Sequence, residues 1–345
     1  MTKVTIHEVA KHAGVSIATV SRVVNKTSFV EPATAARVRK AVQDTGYVPD
    51  NIARGMRSRK SYAIGYVVSD ITNSHFTVAS KALESTLGQD GYSLIVCSTD
   101  GDKRKEEMQL RLLMSKKIDG LIINVSGKND NLVADISRQI PVVLLSRRID
   151  VKGFAGDFVG NDGFQGAYEL GRHVLSLGHR RIGLIKGPDD VSTGPERFSG
   201  FCSALTELGV DLPREMVQPG DYLLESGIAG AERLLTAARP PTIVVALNNA
   251  MAMGALTFIK RRGMHIPKDV SFAAYGDINN RELLYVNPTN VGQNPQQVGK
   301  VAGELIIRRI ADGNATPMTA LVPSQLLEGE SIKRLVPTRR RDVRN

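Results

Sequence analysis

Between Ser16 and Asn25 a row of short polar side chains runs beside an apolar stripe. Val20, Val23 and Val24 recur at helical spacing, which turns Ile17, Ala18, Thr19, Ser21, Arg22 and Asn25 outward. Hydroxyls and amides of this size suit phosphate oxygens, and one arginine can grip guanine O6 and N7 with two parallel hydrogen bonds. A helix serving structure alone would carry Glu/Lys pairs at such positions. Catalytic chemistry has no comparable constellation. His7-Glu8 and His12 imitate a zinc-binding helix only superficially, because the histidines stand five apart where that motif needs four. There is no Walker motif, no G-x-S-x-G elbow and no Cys/His cluster. Gly183-Leu-Ile-Lys-Gly187-Pro lacks the Gly-Lys-Ser/Thr ending that cradles phosphate. No enzyme, metal or cofactor is expected.

The elements that must position the polar row are legible on either side of it. Thr5-Ile-His-Glu8 is a capping box, followed by Ile6, Val9, Ala10 and Ala13 on one face of a short helix. Gly14 stops that helix because glycine accepts the left-handed turn conformation, and Ser16 caps the next. A third helix opens at Glu31-Pro32, turns Val38, Ala41 and Val42 inward and ends near Gly46-Tyr47. Two short helices joined by a glycine turn and braced by a third make a helix-turn-helix.

Charge gives the same indication. Of the net +10, residues 1–61 hold 11 Lys/Arg against 4 Asp/Glu, and residues 333–345 hold 6 against 1. The remainder carries 28 against 30. A small basic head on a near-neutral body is the footprint of a phosphate-backbone binder. At 345 residues the chain accommodates that head and one large or bilobed domain. With no apolar signal core and no run of 18 apolar residues, a cytoplasmic, nucleoid-associated protein without membrane contact is expected. Cys97 and Cys202 read as reduced thiols of a core.

Residues 4–25, Val-Thr-Ile-His-Glu-Val-Ala-Lys-His-Ala-Gly-Val-Ser-Ile-Ala-Thr-Val-Ser-Arg-Val-Val-Asn, closely resemble the lactose/galactose repressor (LacI/GalR) family of bacterial transcription regulators. So do Gly46-Tyr47-Val48-Pro49 and Ala53-Arg54-Gly55-Met56, and the likeness continues to about residue 332. It implies a helix-turn-helix DNA-binding domain over 1–49. It also implies a hinge helix within 50–61 that orders on DNA and wedges an apolar side chain between base steps in the minor groove. The wedge position holds Met56 where the family usually has leucine. The DNA-contacting set so implied is Thr5, Ser16, Ile17, Ala18, Thr19, Ser21, Arg22 and Asn25, with Phe29, Asn51, Ala53 and Met56.

Beyond residue 61, short apolar runs alternate with amphipathic segments. Strands are expected at Ala63–Ser69, Ser93–Ser98, Gly120–Asn124, Val142–Leu145, Arg181–Ile185, Ile243–Leu247 and Val270–Ala274. Helices are expected over 74–88, 103–116, 163–177, 195–208 and 250–262. This is parallel-sheet α/β. The resemblance implies a periplasmic-binding-protein-like core over 62–332, with one subdomain from about 62–160 plus 293–322. The other is built from 161–292 plus 323–332, and a basic tail follows over 333–345. A small effector is expected in the cleft between subdomains.

Carried over by position, Arg197 matches an effector-binding arginine, Asp162 an effector-contacting acid, and Tyr222 an aromatic lying against the ligand. Ser69, His75, Phe76, Asn124, Arg147, Asn249, Asp277 and Gln293 complete the implied effector set. Four positions depart from the family's acids: Ser146, Asn161, Asn249 and Gly276, while Arg147 and Arg197 remain. Fewer carboxylates beside two guanidiniums favour an anion, first a sugar acid of the gluconate or ketogluconate type, then a sugar phosphate. A neutral sugar or nucleobase is the alternative. The resemblance further implies a homodimer on a near-palindromic operator, with no C-terminal leucine heptad to build a tetramer.

Overall fold

The computed structural model describes residues 4–25, 28–47 and 60–335. The hinge expected within 50–61, including Asn51, Ala53 and Met56, and the tail beyond 335 lie essentially outside them. The chain divides into two compact units, Met1–Ser61 and Tyr62–Asn345.

The first unit is three helices, α1 (Ile6–Ala13), α2 (Ile17–Asn25) and α3 (Pro32–Thr45). Glu8 reaches back to the start of α1, where its carboxylate accepts from the Thr5 N–H at 2.6 Å. Gly14 ends that helix at φ +63°, a left-handed conformation in which its N–H reaches the Ala10 and Lys11 carbonyls. Val9, Val20 and Val38, one from each helix, are fully buried at the centre of the core, with Ala41 beside them.

The second unit holds two six-stranded sheets. The first contains β1 (Ala63–Val68), β2 (Ser93–Ser98), β3 (Gly120–Ile123), β4 (Val142–Leu145), β5 (Asp157–Gly160) and β11 (Thr319–Leu321). Its order is β11-β5-β4-β3-β1-β2, parallel throughout. The second contains β6 (Ile182–Lys186), β7 (Val217–Pro219), β8 (Ile243–Ala246), β9 (Ser271–Tyr275), β10 (Thr289–Gly292) and β12 (Gln325–Leu327). Its order is β12-β10-β9-β8-β6-β7, with only β12 antiparallel. Central strands such as β3, β4 and β8 are buried at every position, which is why they read as unbroken apolar runs.

Helices cover both faces of each sheet. On the first sheet, α4 (Ser74–Gln89) and α11 (Pro295–Ala311) pack on one side through Leu83, Leu87, Val298 and Ile306. The other side takes α5 (Lys103–Ser115) and α6 (Asp130–Ser137). On the second, α7 (Gly163–Ser176) and α8 (Thr193–Glu207) oppose α9 (Leu224–Leu235) and α10 (Asn249–Arg261). The seven expected strands are all present. The sequence reading missed β5, β7, β10, β11 and β12, and also α6, α9 and α11.

Following β5, β10 and β11, the chain passes from one sheet's layer to the other three times, and Asn161 joins all three passages. Its amide nitrogen donates to the Gln293 carbonyl at 2.9 Å and to the Val322 carbonyl at 2.8 Å. The residue is only 7% exposed. An aspartate there would bring no donor and would set charge against two carbonyls.

Candidate functional site

On the three-helix unit, Ala18, Arg22 and Thr5 are exposed, while Thr19 and Ser21 are half-buried. Ser16 caps α2 by accepting the Thr19 N–H at 3.2 Å, and the two hydroxyls lie 2.9 Å apart. Hydrogen bonds from Thr5 hold the Glu8 carboxyl below the usual carboxylate range. Ile17, expected to face outward, is half-buried like Thr19 and Ser21 and packs partly against the headpiece core. Phe29, between α2 and α3, is 88% exposed, an extent of bare aromatic surface with no use inside the unit. The side chain of Asn25 lies outside the described residues.

In the second unit, the segments leaving the carboxyl ends of β1–β4 and β6–β8 line a cavity of about 360 Å³. This is where open α/β sheets bind ligands. Nine of the eleven expected effector residues line it: Ser69, His75, Phe76, Asn124, Arg147, Arg197, Tyr222, Asn249 and Gln293. Arg147 follows β4 and is 9% exposed, and Arg197 lies in the first turns of α8 and is 6% exposed. Each guanidinium donates to one backbone carbonyl, Arg147 to Val125 at 2.8 Å and Arg197 to Leu247 at 3.0 Å. Neither has a carboxylate within ion-pair distance among the described residues, and the Arg197 Nε–H has no acceptor. Burial pushes the Arg147 guanidinium below its ordinary value, and the like charge of Arg197 adds to the push.

Tyr222 lies between them, with the two guanidinium carbons 5.6 and 5.7 Å from its ring centre. Its hydroxyl donates to Thr193 Oγ1 at 3.1 Å. The ring fills the space beside Gly187, within 2.3 Å of where a Cβ would stand, so only glycine fits there. Asn124, 2% exposed, donates to the Leu145 carbonyl and leaves its Oδ1 without a partner. Across the cleft, Asn73 and Asn249 exchange two amide hydrogen bonds, 3.2 and 2.9 Å. His75 places Nε2 3.3 Å from Ser146 Oγ and Nδ1 3.9 Å from Asp277.

Two expected effector acids lie outside the lining. Asp162 is exposed and caps α7, where one of its carboxylate oxygens accepts the Gln165 N–H at 2.8 Å. Asp277 accepts the backbone N–H of Gln293 at 3.1 Å and sits behind His75. The four departures also divide. Ser146 and Asn249 face the cavity, whereas Asn161 is the staple between the passages. Gly276 adopts φ +107°, and a Cβ there would stand 3.1 Å from Asn249. At Asn161 and Gly276, then, the hydrogen bonding and the backbone account for the residue, and the charge argument rests on Ser146 and Asn249.

Sequence reading missed four acids on the lining, Asp70, Asp100, Asp190 and Asp221, together with Lys128. Asp70 and Asp100 stand just past β1 and β2, a position that could have disclosed them. Asp221 follows β7, which was not read as a strand. Among the described residues there is no group of three or more His, Cys, Asp or Glu placed to hold a metal ion. Nor is any helix there long and apolar enough to cross a membrane.

Residues 5–50 match the profile of bacterial regulatory proteins of the lacI family. Residues 61–330 match that of the periplasmic binding proteins and sugar binding domain of the LacI family. The HTH-type transcriptional repressor PurR of Yersinia enterocolitica is 33% identical over 330 residues, covering 95% of this chain and 96% of its own. A transcriptional regulator CelR–cellobiose complex is 26% identical with a TM-score of 0.70, over 95% of this chain and 100% of that one. The lac repressor dimer bound to operator and the anti-inducer ONPF shares the fold at a TM-score of 0.80 and 24% identity, covering 96% and 100%.

Proposed function

The chain belongs to the LacI family of DNA-binding transcriptional repressors, and from that premise we propose that a small anionic sugar derivative, held by Arg147 and Arg197, sets its affinity for operator DNA. The observation that carries this reading is the pair of buried guanidiniums with no carboxylate partner. Removing a cation from water without a counter-charge costs several kcal/mol by a rough general measure, and a bound carboxylate or phosphate offsets that cost. Each charge-assisted hydrogen bond then contributes about 1.5–3 kcal/mol. A cavity near 360 Å³ is at the small end of ligand sites and suits a single sugar-sized molecule. Asn124, Asn249 and Gln293 supply neutral donors and acceptors for its hydroxyls.

On the DNA side, Arg22 reads a base edge, while Thr19, Ser21 and Thr5 position the backbone. Two copies of the chain, acting as a homodimer, span the half-sites of a near-palindrome. Selection of binding sites from random duplexes by the purified protein, followed by gel-shift titration with gluconate, 2-ketogluconate and glucose 6-phosphate, tests both halves. The expected result is a near-palindromic consensus whose affinity changes at least about fivefold with one of the acids. Sequence-blind binding, or a response to a neutral hexose or nucleobase with every acid inert, overturns the reading.

A further inference from the structure

The cavity's charges are sorted by depth. Its buried wall carries Arg147 and Arg197, 9% and 6% exposed. Its carboxylates are far more open: Asp100 and Asp190 have side chains 59% and 53% exposed, Asp221 is exposed, and Asp70 is half-buried. Two of these acids are neutralised locally, Asp100 by Lys105 at 2.5 Å and Asp190 by Lys128 at 3.6 Å. The other two are not. Asp70 accepts only from Thr72, at 2.8 and 2.7 Å, and Asp221 from the Leu223 N–H at 2.9 Å; neither has a basic partner among the described residues. They stand one on each side of the cleft, Asp70 after β1 of the first sheet and Asp221 after β7 of the second.

Resting on the anionic-effector reading above, we infer that the effector has a single anionic head and a neutral polyhydroxyl tail, and that Asp70 and Asp221 reject molecules charged at both ends. The guanidinium of Arg197, which lines the cavity without a carboxylate partner among the described residues, draws the head inward. The far end of a sugar-sized ligand is then left among the outer acids. There a hydroxyl donates to a carboxylate, whereas a second carboxylate or phosphate beside Asp70 or Asp221 meets like charge that no paired lysine offsets, unlike Asp100 and Asp190. Discrimination of this kind comes from repulsion at the outer acids as much as from attraction within. The ligand class is thereby narrowed to aldonates, ketoaldonates and monophosphates, and aldarates and phosphorylated aldonates are excluded.

Calorimetry on the full chain tests this with two matched series, glucose, gluconate and glucarate, and galactose, galactonate and galactarate. Glucose 6-phosphate against 6-phosphogluconate serves as the phosphate arm. The one-headed acid of at least one series is expected to bind at least tenfold more tightly than its two-headed counterpart. In Asp70→Asn/Asp221→Asn that gap should fall below about threefold, chiefly because the two-headed acid binds more tightly than it does to the wild-type chain. Asparagine keeps the acceptor oxygen for Thr72 and Leu223, and Asp221→Asn alone, on an exposed loop, is a second variant should the double one fold poorly. Equal binding of one- and two-headed acids by the wild-type chain overturns the inference and leaves the anionic-effector reading standing. A gap that persists in the double variant removes Asp70 and Asp221 from the account. Acids that bind no better than their parent sugars overturn both.

Discussion

Arg22 and Arg197 carry the same guanidinium into opposite surroundings. Arg22 projects from a three-helix unit into water, beside a capping serine and two half-buried hydroxyls. Arg197 is held under Tyr222 and against Tyr275, 4.2 Å from that ring, with one backbone carbonyl as its acceptor. An exposed arginine keeps its hydration until a phosphate or base displaces it, so its energy is modest and its surroundings are set by salt. A buried arginine has already lost its water, so an anion that reaches it gains much and ions in solution screen little. On the proposed reading, the chain separates recognition that tracks ionic strength from recognition that does not.

Salt separates the two most widely. Between 50 and 200 mM, operator affinity should fall by roughly 10³-fold or more, as six or more phosphate contacts require, while affinity for a sugar acid changes only a few-fold. Equal salt slopes in gel-shift and calorimetric titrations would break the comparison. Next in size is Asn161→Asp. Losing two donors and setting a carboxylate against the Gln293 and Val322 carbonyls should destabilise the core by about 3–5 kcal/mol. Denaturant melts of the full chain should show this in the core transition, with the headpiece helices unaffected. A core that melts unchanged would mean that Asn161 does not staple the three passages. Smaller again is Arg22→Ala, expected to cost about 1–3 kcal/mol on selected operator and much less on random duplex. Equal losses on both would make Arg22 a backbone contact.

Much of this is legible in the sequence alone. Helical spacing around Val9, Val20 and Val38 suffices for the headpiece because its small core is local. The buried strands announced themselves as apolar runs. The strands that went unread are three or four residues long, and β10, Thr-Asn-Val-Gly, has a single large apolar residue, Val291. Site residues followed the same division. Arg197 and Tyr222, expected through resemblance to a family, line the cavity, and Arg22, expected from its place on a helix face, is exposed. Asp162 caps a helix outside the cavity lining, a use that the sequence does not distinguish from ligand contact because the two carboxylates look alike in one dimension. Asn161 was read as a lost charge when its amide donors are what the fold uses. Asp221 was missed because β7 is too short to be read as a strand, whereas Asp70 stands just past an expected strand and its position could have disclosed it.

The claim that the buried guanidiniums of the cleft form an anion receptor is tested most directly by calorimetry of matched sugar and aldonate pairs, on the wild-type chain and Arg197→Ala. The account predicts that an acid binds at least about tenfold more tightly than its parent sugar, a difference of about 1.4 kcal/mol. It also predicts that Arg197→Ala removes most of that preference without altering operator affinity in the absence of ligand. Tight binding of a neutral hexose or a purine, with the acids inert and Arg197→Ala indifferent, would contradict it.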